Sequence, residues 1–450
     1  MLYVGAILVI AAIVIIGLWS AKNKDEKYDN SRSANFGLVA GALIGTLVGG
    51  SSTIGTAQLA YSYGFSAWWF TLGGGIGVLL LALVFAEPLY KSGANTLSDI
   101  FSRKFGRKSG VLSAVLSSIG TFLSFVAQII SGTALIMSIS RLNYLQAIIL
   151  VALLMIVYVY WGGSLALGYG GLAKTVLLSA SVLMCGSLAV MECGGFHGLW
   201  TNELLPHEQY MNLFARGFAV DAGAGMSLVI GVITTQSYIG AILMARSVEE
   251  TRKGALLTAI IVPIMGIASI FVGMYMHIYY PGIETKMALP MFIIEKMPPL
   301  AAGIMLSSLL IAVTGTGAGL SFGMASVIYR NIYKQFRPET SDRESKRIIQ
   351  TILLCIIIGG SLLCYVNLGG YILNWSFLSM GLRGAVSFCP LIAALFCKKQ
   401  IEERYALASM ISGALFTFIG KFVLPSNIDP VFLGILASFA VMGIGSIKKT

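Results

Sequence analysis

The chain has 450 residues, of which 57% are hydrophobic and only 11% are charged, and its mean hydropathy is +0.85. This composition excludes a soluble globular protein, because apolar runs of about 20 residues, the length of a membrane-spanning helix, recur from end to end. The net charge of +11 is spread over the short loops between these runs. A membrane topology therefore explains the charge better than a nucleic-acid partner does.

We predict an all-α integral membrane protein with about 13 transmembrane helices in one domain, residues 1–450. The first run, "LYVGAILVIAAIVIIGLWSA", is long for a signal peptide and has no A-x-A-like cleavage site, so we interpret it as an extra N-terminal helix. A closed barrel is the other spanning architecture, and its alternating pattern is missing from the sequence. The predicted spans are 2–20, 37–61, 66–90, 109–139, 143–161, 164–190, 217–243, 253–280, 296–332, 347–366, 371–397, 405–424 and 428–446.

Lysine and arginine predict the orientation. Of the 30, all but seven lie in loops after odd-numbered spans or at the C-terminus. The positive-inside rule then places the N-terminus outside and the C-terminus in the cytoplasm of a cell bounded by a plasma (inner) membrane. The seven exceptions are Arg141, Lys174, Arg216, Lys286, Lys296, Arg383 and Lys421.

Two spans carry glycine and hydroxyl residues at mid-membrane. They are span two, "GALIGTLVGGSSTIGTAQLAYSYG", and span seven, "SLVIGVITTQSYIGAILMA". Such a pair indicates broken helices in an inverted-repeat transporter, although close packing through small residues would explain either span alone. We therefore predict a five-plus-five inverted repeat, 37–190 and 217–397, in which the first and sixth core helices are broken. Two further helices, 405–446, follow it.

The sequence has no residues arranged for catalysis. It has no P-loop, no HExxH and no G-x-S-x-G motif, and only three histidines. Its six cysteines show no metal-ligand spacing and are interpreted as small packing residues. We expect no enzyme activity and no organic cofactor.

The sequence resembles the sodium:solute symporter family, which has the leucine-transporter fold. The resemblance rests on five pieces in order: "GGSSTIGTAQLAYSYG", "SGANTLSDIFSRKFG", "GGSLA", "TTQSYIGAILMARSVEETRKGA" and "SVIYRNIYK". It implies a symporter that moves a small organic solute by alternating access. It also implies a sodium site between core helices one and eight, at the backbone carbonyls of Gly45, Val48 and Ala312 and at the side chains of residues 315 and 316.

Two departures put that site in question. The family has consecutive hydroxyls where this chain has Gly315 and Thr316, so one side-chain oxygen is missing. The family also tends to have an aspartate where this chain has Gly171. Oxygen ligands otherwise suit a hard cation such as sodium.

Lys174 lies three residues after Gly171, on the same helix face. It is about 10 residues into span six, ~15 Å deep in a core of ~30 Å, where a lipid-facing lysine is costly. Carriers of this fold that need no sodium resemble this arrangement, with an amine in place of the ion. Lys174 is therefore our coupling candidate, with a proton as the alternative ion. A structural lysine, or one that coexists with sodium, remains open.

Candidate solute-binding residues follow from the same broken spans. Arg383 lies about 12 residues into span eleven, ~18 Å deep, and its guanidinium suits a carboxylate, although a structural role in a gate is an equal alternative. The resemblance implies that Thr71 faces the solute. The other candidates for hydrogen bonds to the solute are Ser51, Ser52, Thr53, Gln236 and Ser237.

We therefore expect a sodium-coupled symporter. A proton-coupled or cation-independent carrier is the alternative within transport, and a channel or membrane sensor is the alternative from another class. A channel would need rings of filter residues, which the sequence lacks. The expected partners are a small organic solute, of which a carboxylate is one candidate, a coupling cation and the lipid bilayer.

Overall fold

The computed structural model describes residues 32–94, 96–140, 142–162, 169–334, 337, 339, 341–366, 370–425 and 428–447. Within these ranges, the side chains of 159–162, 169–174 and 342 are not described. The predicted N-terminal span 2–20 and the side chains at positions 171 and 174 therefore lie outside the described part of the chain. The described residues are helical, apart from loops and one isolated bridge between Ala34 and Ala245.

The first group of helices runs from a short apolar helix to a long one that ends in a polar loop. A wide π-type turn, Ser51–Gly55, precedes α2, and another, Leu81–Phe85, precedes α4. The helices are α1 (Phe36–Leu47), α2 (Thr56–Tyr63), α3 (Trp69–Leu80), α4 (Ala86–Lys91), α5 (Leu97–Lys104), α6 (Arg107–Ile139), α7 (Tyr144–Gly162) and α8 (Tyr169–Glu192).

The second group contains the remaining helices. Short helices lie in the connections, and long ones cross the molecule. They are α9 (Gly195–Trp200), α10 (His207–Tyr210), α11 (Phe218–Thr234), α12 (Gln236–Leu243), α13 (Val248–Tyr279), α14 (Ala288–Lys296), α15 (Pro299–Ile328), α16 (Asp342–Val366), α17 (Ile372–Phe396), α18 (Glu403–Val423) and α19 (Val431–Ile447).

The described residues contain eight helical segments long and apolar enough to cross a membrane, or nine if the bent pair α11–α12 is one span. Three shorter apolar helices add to these: Phe36–Leu47, Tyr144–Tyr158 and Val431–Ile447. The segment Ser51–Lys91 covers parts of two predicted spans, and Gly64, at φ +51°, marks the turn between them. The protein is a multi-pass membrane protein, while the count of 13 spans stays a prediction.

Both helices that carry glycine and hydroxyl residues are broken. α1 ends before Val48, which is extended at φ −93° and ψ 105°. α11 ends before Thr235, which is extended at φ −92° and ψ 126°, and the chain bends there by 50°. The predicted interruption of the first and sixth core helices is confirmed.

The start of α1 is joined to the end of α12. Ala34 N–H donates to the carbonyl of Met244 at 3.0 Å, and Arg246 N–H donates to the carbonyl of Ala34 at 2.9 Å. One broken helix therefore begins at the end of the molecule where the other finishes. This antiparallel relation is the one that an inverted repeat requires.

α17 packs against most of the elements that surround the two breaks. It contacts α11 and α6 extensively, and it also contacts the turn Ser51–Gly55. Small residues permit the close approach: a Cβ on Gly231 of α11 would lie 2.5 Å from the Cβ of Met380 on α17. Small residues at helix crossings are the usual packing device inside a membrane. α17 is thus placed to contact both broken helices.

Candidate functional site

At the first break, side chains take the place of helix hydrogen bonds. Gly49 N–H donates to Ser52 Oγ at 2.9 Å, and Gly50 N–H donates to Gln128 Oε1 at 3.1 Å. In an uninterrupted helix these two N–H groups would bond to the carbonyls of Gly45 and Thr46. The break therefore leaves those carbonyls without their helical donors, which is how a helix end becomes an oxygen-rich site.

Ser52 and Thr53 are fixed to the break itself. Ser52 Oγ donates to the carbonyl of Gly49 at 3.1 Å, and Thr53 Oγ1 donates to the same carbonyl at 2.8 Å. Both side chains are buried. They stabilise the broken backbone, so their hydroxyl protons are already committed in this conformation.

α15 lies beside the break, as the resemblance implies. Thr316 Oγ1 is 3.4 Å from the point that a Cβ on Gly49 would occupy, so Thr316 approaches the interrupted backbone directly. Ala312 and Gly315 are buried on the same helix. The structure thus brings Thr316 to the first broken helix.

Gly315 contributes no side-chain oxygen, but a phenol lies next to it. The nearest atom to a Cβ on Gly315 is Tyr158 Oη, at 3.2 Å. Neutral carbonyl and hydroxyl oxygens are the donors that sodium prefers. The two side-chain oxygens beside this part of α15, Thr316 Oγ1 and Tyr158 Oη, are of the kind that a hard monovalent cation takes.

Gln128 is a residue of this site that sequence reasoning missed. It is buried on α6, where its Oε1 accepts from Gly50 and its Cβ is 3.4 Å from the point of a Cβ on Gly317. The signal was present in the sequence, because Ser124, Gln128 and Ser131 recur at helical spacing in an apolar segment. Gly50 itself must be glycine, since a Cβ there would overlap the side chain of Ser131.

Ser51 links the first break to α17. Its Oγ lies 2.7 Å from Ser376 Oγ, and both side chains are buried. Ser51 is thus a solute candidate with an identified partner, and Ser376 was not predicted. Thr71 is also buried, but its Oγ1 donates to the carbonyl of Trp68 at 3.3 Å and it packs against Gly266 of α13.

At the second break, Thr235 carries a buried hydroxyl that contacts α17. Its Oγ1 donates to the carbonyl of Gly231 at 2.6 Å and accepts from Arg383 Nη1 at 3.0 Å. By contrast, Gln236 and Ser237 are exposed, and Gln236 Oε1 accepts from the backbone of Leu97 at 2.7 Å. The structure therefore places both predicted solute ligands beyond the bend, and Gln236 contacts the start of α5.

Arg383 is only 2% exposed and is held by neutral acceptors. Its Nη2 donates to Ser379 Oγ at 2.9 Å and to Ser124 Oγ at 3.2 Å, and its Nε donates to the carbonyl of Ser379 at 3.2 Å. Among the described residues it forms no ion pair. A guanidinium buried without a counter-ion leaves a positive potential beside the second break.

A buried ion pair lies at the start of α11, away from both breaks. Asp221 is fully buried; its Oδ1 accepts from Arg216 Nε at 2.8 Å and from Ser66 Oγ at 2.8 Å. Asp221 therefore connects the loop before α11 to the segment before α3, a structural role.

Comparison with solved structures identifies the fold. A Na⁺-coupled sialic acid symporter in a substrate-bound, outward-open state superposes with a TM-score of 0.78 at 18% identity, covering 99% of this chain and 96% of that one. Mhp1, a nucleobase-cation-symport-1 family transporter, in a closed conformation with bromovinylhydantoin bound, gives 0.61 at 13% identity, covering 92% and 93%. MhsT in complex with L-phenylalanine gives 0.59 at 12% identity, covering 92% and 98%. The chain therefore has the leucine-transporter fold that these transporters share.

The sequence then gives the family. The profile of the sodium:solute symporter family matches residues 28–413. The chain belongs to this family. One relative, the uncharacterized symporter YwcA of Bacillus subtilis (strain 168), is 28% identical over 155 residues, which cover 34% of this chain and 30% of that protein.

Proposed function

We propose that this protein is a cation-coupled secondary active transporter that carries a small organic solute across the plasma (inner) membrane by alternating access. One observation carries the proposal: a single helix, α17, hydrogen-bonds to both broken helices, through Ser376 to Ser51 and through Arg383 to Thr235. A solute that binds between the breaks would contact all three elements. Family membership supports sodium as the coupling ion.

The cation site in this proposal lies between the first break and α15. Bound sodium would supply electrostatic attraction between the two elements. The residues that would hold it are the carbonyls of Gly45, Val48 and Ala312 and the hydroxyl of Thr316. Gln128 holds Gly50 N–H away from its helical acceptor, the carbonyl of Thr46. Ser52 likewise holds Gly49 N–H away from the carbonyl of Gly45, so the break stays open.

The solute is proposed to carry a carboxylate. Arg383 offers a buried positive charge beside the second break, and a carboxylate is the group that a guanidinium binds best. One structural neighbour is a sialic acid symporter, and another was solved in complex with L-phenylalanine. Both of these solutes carry a carboxylate. An anion would have to displace some of the hydroxyls that now accept from Arg383.

The proposed topology has the N-terminus outside and the C-terminus in the cytoplasm, with repeats at 37–190 and 217–397. The parallel bridge between Ala34, before α1, and Ala245, after α12, joins the start of one broken helix to the end of the other, and this supports the inverted relation. The basic loops after odd-numbered spans support the orientation.

Uptake by proteoliposomes tests the proposal. Purified protein is reconstituted, sodium or proton gradients are imposed separately, and carboxylate solutes are scanned with wild type and Lys174→Gln. We expect an inward sodium gradient to drive accumulation. If only a proton gradient drives uptake and Lys174→Gln abolishes it, the sodium assignment is wrong and the lysine is the coupling group. If no gradient drives uptake of any solute in the scan, the transport proposal fails.

A further inference from the structure

The predicted cation site has one oxygen fewer than its family pattern, because residue 315 is a glycine. Gly315 is buried in the middle of α15, next to Thr316, whose hydroxyl approaches the first break. Consecutive helix residues diverge by about 100°, so a hydroxyl on residue 315 would extend toward a different neighbour. That neighbour is Tyr158 of α7.

The phenol occupies the space that a side chain on residue 315 would need. A Cβ on Gly315 would lie 3.2 Å from Tyr158 Oη and 3.3 Å from its Cζ. A serine hydroxyl extends about one bond beyond Cβ, so it would crowd the phenol. Gly315 and Tyr158 are therefore sterically dependent on each other: the glycine makes room for the phenol, and the phenol brings an oxygen to the glycine.

The position of Tyr158 is fixed by packing of its helix. Val151, Met155 and Tyr158 share one face of α7 by their spacing of four and three residues. Val151 packs against Gly132 of α6, and Met155 packs against Gly317 of α15. The backbone of α7 is thus held against both helices beside the first break.

The hydroxyl of Tyr158 is available to bind an ion. Among the described residues, no side chain or backbone group hydrogen-bonds to it. Tyr158 is half-buried, and its oxygen is not one of the fully buried polar atoms without a partner, so it is accessible to a cation or to a water molecule. Tyr144, at the other end of α7, differs: its hydroxyl donates to the carbonyl of Cys364 at 3.3 Å.

We propose that the phenolic oxygen of Tyr158 replaces the missing hydroxyl of residue 315 and completes the cation site of this chain. This inference rests on the proposed function, since it assumes a cation between the first break and α15. In this arrangement Tyr158 is a cation ligand: a phenol on the neighbouring helix α7 supplies the oxygen that a hydroxyl on α15 would otherwise supply.

Sodium binding, measured without transport, tests the inference. Wild type, Tyr158→Phe and the control Tyr144→Phe are compared by the sodium-dependent rise in melting temperature in detergent and by binding of radioactive sodium. Tyr158→Phe should raise the sodium concentration for half-maximal effect about 10-fold, the usual scale for losing one supporting group at a metal site. Tyr144→Phe should leave it unchanged.

A double variant separates a ligand from a packing residue. In Tyr158→Phe/Gly315→Ser, the ring loses the oxygen nearest to residue 315 and α15 regains a hydroxyl, so most of the lost sodium affinity should return. Gly315→Ser alone should weaken binding, because the phenol is still present.

Two results would overturn the inference in different ways. If wild type responds to sodium and Tyr158→Phe responds equally, Tyr158 is not part of the site, although sodium coupling stands. If wild type itself shows no response to sodium, both the inference and the sodium assignment fall. A melting curve recorded without sodium shows whether each variant is folded.

Discussion

The hydroxyl of Ser51, at the first broken helix, lies 2.7 Å from the hydroxyl of Ser376 on α17. Seven residues further along α17, on the same face, Arg383 reaches Thr235 at the second break. The two contacts are about 10 Å apart along the helix axis. One continuous helix thus contacts both interruptions of the bundle, and several predictions depend on this arrangement.

Replacing one serine of the pair should weaken solute binding. Ser51→Ala or Ser376→Ala leaves a buried hydroxyl without its partner, a cost of about 1 to 2 kcal/mol. The double variant should lose less than the sum, because no orphaned hydroxyl remains. Solute affinity from uptake kinetics and from ligand-induced thermal shift measures both effects.

A matched hydroxyl pair serves as the control. Ser409 Oγ and Ser438 Oγ lie 2.8 Å apart, both buried, between α18 and α19. Ser409→Ala should lower the melting temperature without changing solute affinity. Additive losses in the Ser51/Ser376 cycle would contradict direct coupling between those two residues.

Arg383 should determine the preference for a carboxylate. Arg383→Gln removes the buried charge, so uptake of a carboxylate solute should fall at least about 10-fold relative to its neutral amide. Arg383→Lys should not restore uptake, because an ammonium cannot reach Thr235 and Ser124 with one fork. Competition uptake with the acid and the amide measures this.

The exposed Arg404, paired with Glu402, is the control for Arg383. Arg404→Gln should leave both uptakes unchanged. If Arg383→Gln lowers the uptake of the acid and the uptake of the amide equally, Arg383 stabilises the second break and does not bind the solute.

Replacing Gln128 should weaken cation binding more than solute binding. Gln128→Leu leaves Gly50 N–H buried without an acceptor, at a cost of about 1 to 3 kcal/mol, and the break should collapse toward regular helix. Sodium-induced stabilisation should therefore weaken. Gln128→Glu keeps the acceptor and should retain the response, and Gln146→Leu, at the exposed start of α7, should have no effect.

Asp221→Asn should destabilise the fold without changing cation selectivity. The side chain is fully buried and paired with Arg216, and losing one partner of a buried pair costs about 3 to 5 kcal/mol. Thermal unfolding measures the loss. Glu249→Gln, which removes an exposed pair with Lys253, should lower the melting temperature far less; equal losses would contradict a buried structural pair.

The sequence predicted which helices are broken but not the residue at which the second one breaks. Gly231 packs closely against α17, and the extended residue is Thr235. Its hydroxyl bonds back to the carbonyl of Gly231, a local bond that competes with the helix. Periodicity continued through the bend would place Gln236 inside, whereas the 50° bend turns it toward α5.

The sequence also could not show which side chains from distant segments contact each candidate site residue. A single sequence reveals that Gly315 lacks a hydroxyl, but only packing shows that Tyr158 lies beside it. Likewise, the depth of Arg383 followed from counting residues, whereas its neutral partners Ser124 and Thr235 come from other helices. A helix can be predicted from its own local sequence. A site formed between helices depends on how distant segments pack, which local sequence does not show.

α17 also sets a thermodynamic condition on the carrier. Because one helix hydrogen-bonds to both breaks, we expect an occupant at one break to change the free energy of binding at the other. Such an effect must be reciprocal: whatever factor the cation adds to solute affinity, the solute adds to cation affinity. Wild type should show equal factors in the two titrations, and Ser376→Ala should reduce both factors together.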